Sequence, residues 1–179
     1  MVKVYYCDIK DVLVYSSFIT TLPKQRRDYV LSINDYNKRK QSVIVWKLLE
    51  YVLKTEFNLT ENEFSCINGK WELKNNSVLF SLTHSNNIVA VAVGTQSIGV
   101  DVEIIQEKIL KLSNKFGTTD IEQLTLAWTK KESAFKNANN STFYYETIHD
   151  LDNNKYFLTA CSDLEPDFIH INYKKFLGV

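Results

Sequence analysis

Residues 78–104 read VLFSLTHSNNIVAVAVGTQSIGVDVEI, and this stretch decides the fold. Val78 to Leu82 and Ile88 to Val93 are apolar, β-branched runs separated by His84-Ser85-Asn86-Asn87, which predicts a β-hairpin. Gly94 to Ser97 turns the chain again, and Ile98 to Ile104 reads as a third strand. Outward from this β unit the pattern changes period. Val45, Leu48, Leu49, Val52 and Leu53 recur at helical spacing, predicting a helix that Asn34 or Asp35 caps and that runs to about Phe57. Before it, Val2 to Asp8 reads as a strand and Pro23 to Ser32 as a short helix. After the β unit, Lys108 to Phe116 reads as helical up to a capping Gly117. Thr119 with Glu122 opens a helix to about Ala138 by the capping-box pattern, and Thr60 with Glu63 predicts a further short turn of helix. Asn68-Gly69 is a turn signal, and Phe143 to Ile148, Tyr156 to Ala160 and Phe168 to Tyr173 are strand-like. Helix followed by strands occurs twice, so the expected class is α+β with two small lobes in one domain, about 1–97 and 98–179.

The 179 residues carry 21 Lys+Arg against 21 Asp+Glu, and this zero net charge argues against a nucleic-acid binder acting through its overall field. Gly 5 and Pro 2 are low, which argues against a Gly-rich phosphate loop, linkers and a disordered chain. Cys7, Cys66 and Cys161 are odd in number and far apart, the pattern of a reduced protein without a disulfide framework. Asp8, Lys10 and Asp11 interrupt the apolar run that a signal peptide needs, and no apolar run is long enough to span a bilayer. A cytoplasmic protein with no membrane association is expected.

Asp101 and Glu103 lie two apart on a predicted strand, so both carboxylates share one face while Val100 and Val102 point to the other. Two like charges side by side are unfavourable without a cation, and oxygen ligands of this kind suit Mg²⁺ or Mn²⁺ together with substrate phosphates. A polar outer strand face accounts for the same spacing. Glu132 and Lys136 lie one helical turn apart, which makes either a surface ion pair or a carboxylate for the same cation with a lysine for a phosphate. His84 sits among hydroxyls at a turn and is a candidate phosphate donor. Lys24, Arg26, Arg27, Lys38, Arg39 and Lys40 make the first third locally basic, either as solvated helix faces or as a polyphosphate site.

Four motifs occur in a set order: GKWEL (69–73), FSLTHS (80–85), GVDVE (99–103) and WTKKESAFK (128–136). Together they resemble the successive motifs of the 4′-phosphopantetheinyl transferases, Sfp-type branch, over about residues 22–136. The resemblance implies a pseudo-dimer of two similar α/β lobes with the site at their junction. The implied reaction moves the 4′-phosphopantetheine group from coenzyme A to a serine of an apo acyl or peptidyl carrier protein and releases 3′,5′-ADP. It implies that Asp101, Glu103 and Glu132 bind Mg²⁺, or alternatively Mn²⁺. Glu132 is then the residue that activates the acceptor serine, and Lys136 contacts the phosphate and stabilises the leaving group. His84 and Thr83 correspond to the phosphate-contacting His and its hydroxyl neighbour. Gly69 and Lys70 correspond to the segment against the nucleotide, and Lys24, Arg26, Arg27 and Lys38 to the grip on the 3′-phosphate. Coenzyme A and a carrier protein, of the kind that serves secondary metabolism, are the implied partners of a monomeric enzyme. Two departures stand out: Thr83 replaces the usual Ser, and Trp71 replaces Pro, where it either stacks on the base or packs into the core. The competing readings are a non-catalytic carrier-binding module and another metal-dependent enzyme that cleaves phosphodiesters.

Overall fold

The computed structural model describes residues 1–67, 69–74, 78–137 and 141–178, and it is an α+β protein. The chain opens with β1 (Val2–Asp8), then α1 (Ser16–Thr20), α2 (Lys24–Ser32) and the long α3 (Tyr36–Phe57). Next come β2 (Phe64–Ile67), β3 (Lys70–Leu73), β4 (Leu79–Ser85), β5 (Ile88–Gly94) and β6 (Ile98–Ile104). A 3₁₀ turn (Glu107–Leu112) leads through α4 (Ser113–Phe116) to α5 (Ile121–Asn137). The C-terminal part adds β7 (Thr142–His149), β8 (Lys155–Ser162), β9 (Asp167–His170) and α6 (Lys174–Leu177).

Local chemistry explains the main boundaries. Asp35 caps α3, its carboxylate accepting from the Lys38 N–H at 2.9 Å. The helix stops where Asn58 turns left-handed, with φ at 54°. The predicted hairpin forms with a tighter turn than the sequence suggested. β4 continues through His84 and Ser85, Ser85 pairs with Ile88, and only Asn86 and Asn87 remain in the turn. Asn86 takes the positive φ, 47°, that a two-residue turn needs.

Two predicted helix starts are corrected. Thr60 and Glu63 open no helix, because Phe64 pairs with Leu73 in the β2–β3 hairpin and Phe64 packs against Trp46. Residues next to a strand can carry a capping pattern without a helix when tertiary packing claims the apolar side chain. For α5 the cap is Asp120, whose carboxylate accepts from the Gln123 N–H at 2.9 Å, and Thr119 plays no part in it. Lys108 to Phe116 divides into the 3₁₀ turn and α4, which ends at Gly117 with φ of 69°. Asn68 of the predicted turn and Ala138 at the expected end of α5 lie outside the described residues.

The strands form one sheet in the order β4-β5-β1-β9, a second in the order β6-β8-β7, and the small β2–β3 hairpin. β5 is buried on both faces, which explains its unbroken apolar run. Val89, Val91 and Val93 pack into one core with Val45, Leu48, Leu49 and Val52 of α3. Ile88, Ala90 and Ala92 pack into a second core with Val100 and Val102 of β6 and Leu158 and Ala160 of β8. β9, from the C-terminal half, adds parallel to β1 in the first sheet, with Lys3 opposite Asp167. No helix among the described residues is long and apolar enough to cross a membrane.

The two sheets meet at their edge strands β4 and β6. The Val100, Val102 and Ile104 N–H groups donate to the hydroxyls of Ser81, Thr83 and Ser85, at 3.1, 3.2 and 3.3 Å. Side-chain oxygens thus stand in for the carbonyls of a missing strand, satisfying backbone donors that would otherwise be buried unpaired. On its other side β6 lies against α5 at very short range. A Cβ on Gly99 would fall 1.9 Å from the Ser133 carbonyl oxygen and 2.7 Å from the Asn137 nitrogen. α5 meets the sheet with small and polar residues, and Thr129 shares a 2.8 Å hydroxyl hydrogen bond with Thr159 of β8. Gly99→Ala should therefore destabilise the protein by about 3 kcal/mol or more, since both clashing groups are backbone. Urea denaturation checks this, and an unchanged midpoint would refute the close approach.

Candidate active site

Alternation along β6 sends Val100 and Val102 into the inter-sheet core and Asp101 and Glu103 towards the other face, as the spacing predicts. Asp101 is 7% exposed. Its Oδ1 accepts from Lys136 Nζ at 2.7 Å and from Thr83 Oγ1 at 3.1 Å. Glu103 accepts from Ser85 Oγ at 3.1 Å. The hydroxyls that join the sheets therefore also hold the two carboxylates. Burial raises the pKa of both: at Asp101 it outweighs the pull of Lys136 and Thr83, and at Glu103 the nearby Asp101 charge adds to it.

Lys136 reaches across from the last turn of α5 to Asp101 and to the Val100 carbonyl, at 3.0 Å. Its ion pair is with Asp101, and the surface pair with Glu132 is absent. Glu132, one turn earlier on α5, is near enough for its charge to raise the Asp101 pKa. It lines a hollow of about 600 Å³ together with Gly69, Lys70, Trp71 and Lys136.

A second hollow, of about 530 Å³, shares Gly69, Trp71 and Lys136 with the first and reaches Arg26, Thr83, His84 and Asp101. A third, of about 570 Å³, continues past His84 to Lys38, Ser42, Ser85 and Glu103. The three adjoin along the β4–β6 junction as one groove. His84 opens into it. The ring is accessible there, but the protein around it and the positive charges of Lys136 and Arg26 push the imidazole pKa down to about 4. The ring is thus neutral at pH 7, with one N–H to donate.

The basic residues of the first third separate into distinct roles. Arg26 is buried, and desolvation lowers its pKa to about 10. It donates to the Ser42 carbonyl and hydroxyl, each at 2.8 Å, and its guanidinium lies 4.9 Å from the Trp46 ring and 5.7 Å from the Trp71 ring. Lys38 is exposed at the far end of the groove. Arg27 donates to the Thr20 carbonyl, Arg39 to the Ile33 carbonyl and Lys40 to the Lys10 carbonyl. Lys24 is exposed on α2, and neither it nor Arg27 lines the groove. Gly69 turns with φ of 82° at the groove rim, and the exposed Lys70 lies 3.6 Å from Glu72. Trp71 packs against the core as one of its two readings expects, with its ring centre 5.0 Å from that of Trp46, and the residue also lines the groove.

Sequence reasoning missed Ser42, Tyr29 and Trp46 around Arg26, and it missed the roles of Ser81 and Ser85. The signal for the latter was present: Ser81, Thr83 and Ser85 alternate at the period of one strand face.

The donor set at Asp101 and Glu103 suits a hard divalent cation. Mg²⁺ is commonly held by one or two carboxylates with substrate phosphates completing its shell, and here the Asp101 charge raises the cost of ionising Glu103 while Glu132 does the same to Asp101. Among the described residues no three His, Cys, Asp or Glu side chains converge on one point, and an ammonium sits on Asp101. Glu132, expected as a third ligand, thus does not converge with Asp101 and Glu103, and what this structure offers a hard cation is the carboxylate pair, with Lys136 on one member.

No protein-family model matches the chain, and no curated protein matches it.

The depressed His84 pKa has a stability consequence. Between pH about 6.5 and about 4 the unfolded chain protonates this histidine and the folded chain does not, so its contribution falls as the pH falls. Asp101 and Glu103, with raised pKa values, act in the opposite sense as the pH falls through their folded values. The contrast between wild type and His84→Gln isolates the first effect: over this window the variant should lose less stability on acidification. Parallel slopes in urea titrations at several pH values would show that His84 titrates normally.

Proposed function

We propose that this chain is a Mg²⁺-dependent 4′-phosphopantetheinyl transferase, moving phosphopantetheine from coenzyme A to a serine of an apo acyl or peptidyl carrier protein. One observation carries the reading. Polar residues of four separate motifs, Lys70, His84, Asp101 and Lys136 among them, line a single groove where the two sheets meet. The pseudo-dimer that this reading entails has support in the element content. α3 covers β4, β5 and β1, three antiparallel neighbours, and α5 covers β6 and β8 of an antiparallel three-stranded sheet.

In the proposed reaction the serine oxygen forms a bond to the β-phosphorus of coenzyme A, and the bond from that phosphorus to the bridging oxygen of 3′,5′-ADP breaks. Charge spreads over phosphoryl oxygens in the transition state, so groups fixed in advance around them supply most of the rate. A cation bound at Asp101 and Glu103, with Glu132 close by, would supply charge neutralisation at the diphosphate. Lys136, on a side chain already at the groove, brings an ammonium to the same oxygens. His84, neutral, donates an N–H to a phosphoryl oxygen. Glu132 accepts the serine proton. Arg26 and Lys38 place positive charge along the groove for the nucleotide end, and Thr83 and Ser85 hold the two carboxylates in orientation through their hydroxyls.

Intact-mass spectrometry of an apo carrier protein incubated with the chain, coenzyme A and Mg²⁺ tests the reading. The carrier should gain one phosphopantetheinyl group, EDTA should stop the gain, and added Mg²⁺ should restore it. Asp101→Ala should slow transfer about a thousandfold. A carrier of unchanged mass that nevertheless binds the chain would support a docking module instead. Cleavage of coenzyme A without transfer to the carrier would support a phosphodiester-cleaving enzyme.

A further inference from the structure

The Lys136 ammonium and a divalent cation would share one carboxylate, that of Asp101. Asp101 Oδ1 accepts from Lys136 Nζ at 2.7 Å, and Val100 O holds the same ammonium at 3.0 Å, so the lysine is fixed by two acceptors. Asp101 is nine-tenths buried and cannot turn to solvent to find another partner. A cation bound to Asp101 with the ammonium in place would put three positive charges on one carboxylate. In a partly buried setting such repulsion is strong. The ammonium must leave before the cation binds well, and it leaves readily only when another anion receives it. Lys136 also lines both of the hollows that share Trp71, so the groove itself offers that second position.

We propose that Lys136 is an electrostatic latch: in the empty protein it occupies the cation's place on Asp101, and a diphosphate-bearing ligand releases it, so that cation and ligand bind cooperatively. The proposal rests on the reading of Asp101 and Glu103 as a cation site. The coupling is a property of the apo state, separate from any role of the lysine in transfer. It follows from the same positive charge serving two anions in turn, Asp101 before loading and a phosphoryl oxygen after it. Glu132 contributes a further negative charge nearby but makes no ion pair with the lysine.

Binding measurements without turnover test this. Mn²⁺ titrations followed by electron paramagnetic resonance, all at one pH, are compared for wild type, Lys136→Met and Lys136→Gln. Thermal melts establish that each variant is folded, and the Gln variant retains a polar donor if the Met variant does not fold. Without coenzyme A, the variants should bind Mn²⁺ about tenfold more tightly than wild type. Adding coenzyme A should tighten Mn²⁺ binding about tenfold in wild type and little in the variants. Equal Mn²⁺ affinity in wild type and folded variants would overturn the latch and leave the cation site standing. Failure of every protein to bind Mn²⁺, with coenzyme A present as well as without it, would overturn the cation site and the latch together.

Discussion

The structure depends on three hydroxyls. Ser81, Thr83 and Ser85 point from the edge of one sheet at the backbone N–H groups on the edge of the other, and no carbonyl does that work. A hydroxyl differs from a carbonyl in that it also donates. The Thr83 hydroxyl donates to Asp101 and the Ser85 hydroxyl to Glu103, so the join between the sheets and the orientation of the carboxylates are one hydrogen-bond network. A continuous backbone ladder would have satisfied the same N–H groups and left the carboxylates without these donors. His84 falls between Thr83 and Ser85 and by strand alternation faces away from the join, into the groove.

Charge in the first third of the chain follows a similar economy. Six basic residues stand from Lys24 to Lys40, but four of them, Arg26 included, donate to main-chain carbonyls of the fold itself. Arg27, Arg39 and Lys40 each hold a loop or helix end through a main-chain oxygen. Arg26 goes further inside, between Trp46, Trp71 and Tyr29, where the aromatic faces offset part of its desolvation. The local excess of charge visible in the sequence is thus a poor measure of the charge that faces the groove.

Period and capping made much of the fold legible. The spacing of Val45, Leu48, Leu49 and Val52 located α3, Asp35 gave its start, and alternation assigned Val100 and Val102 to the core and Asp101 and Glu103 away from it. Each of these is a local rule, and local rules are strong where an element is long or buried on one side. The failures are non-local. Thr60 and Glu63 carry a capping pattern, but Phe64 finds Trp46 and Leu73 and becomes a strand. The Glu132–Lys136 spacing is that of a surface pair, but the acceptor that takes the lysine lies 35 positions earlier on another strand. The burial of Arg26 depends on aromatic residues from α3 and β3 that no spacing rule connects to it. The motif order did identify the residues that meet at the groove, because those residues sit at strand and helix positions fixed by the cores beneath them.

The parallel pairing of β1 with β9 sets a timetable for synthesis. β1 emerges from the ribosome before the other strands, and one of its edges has no partner until β9 follows, after the whole second sheet. Long-range parallel pairing of this kind forms slowly, because the closing loop costs entropy before any contact compensates for it. The nascent chain therefore carries an open strand edge through most of its translation, beside a β5 that is apolar on both faces. Such an edge recruits other strands when crowded. Yield during expression should then be governed more by how quickly the C-terminal third arrives than by the stability of the finished protein.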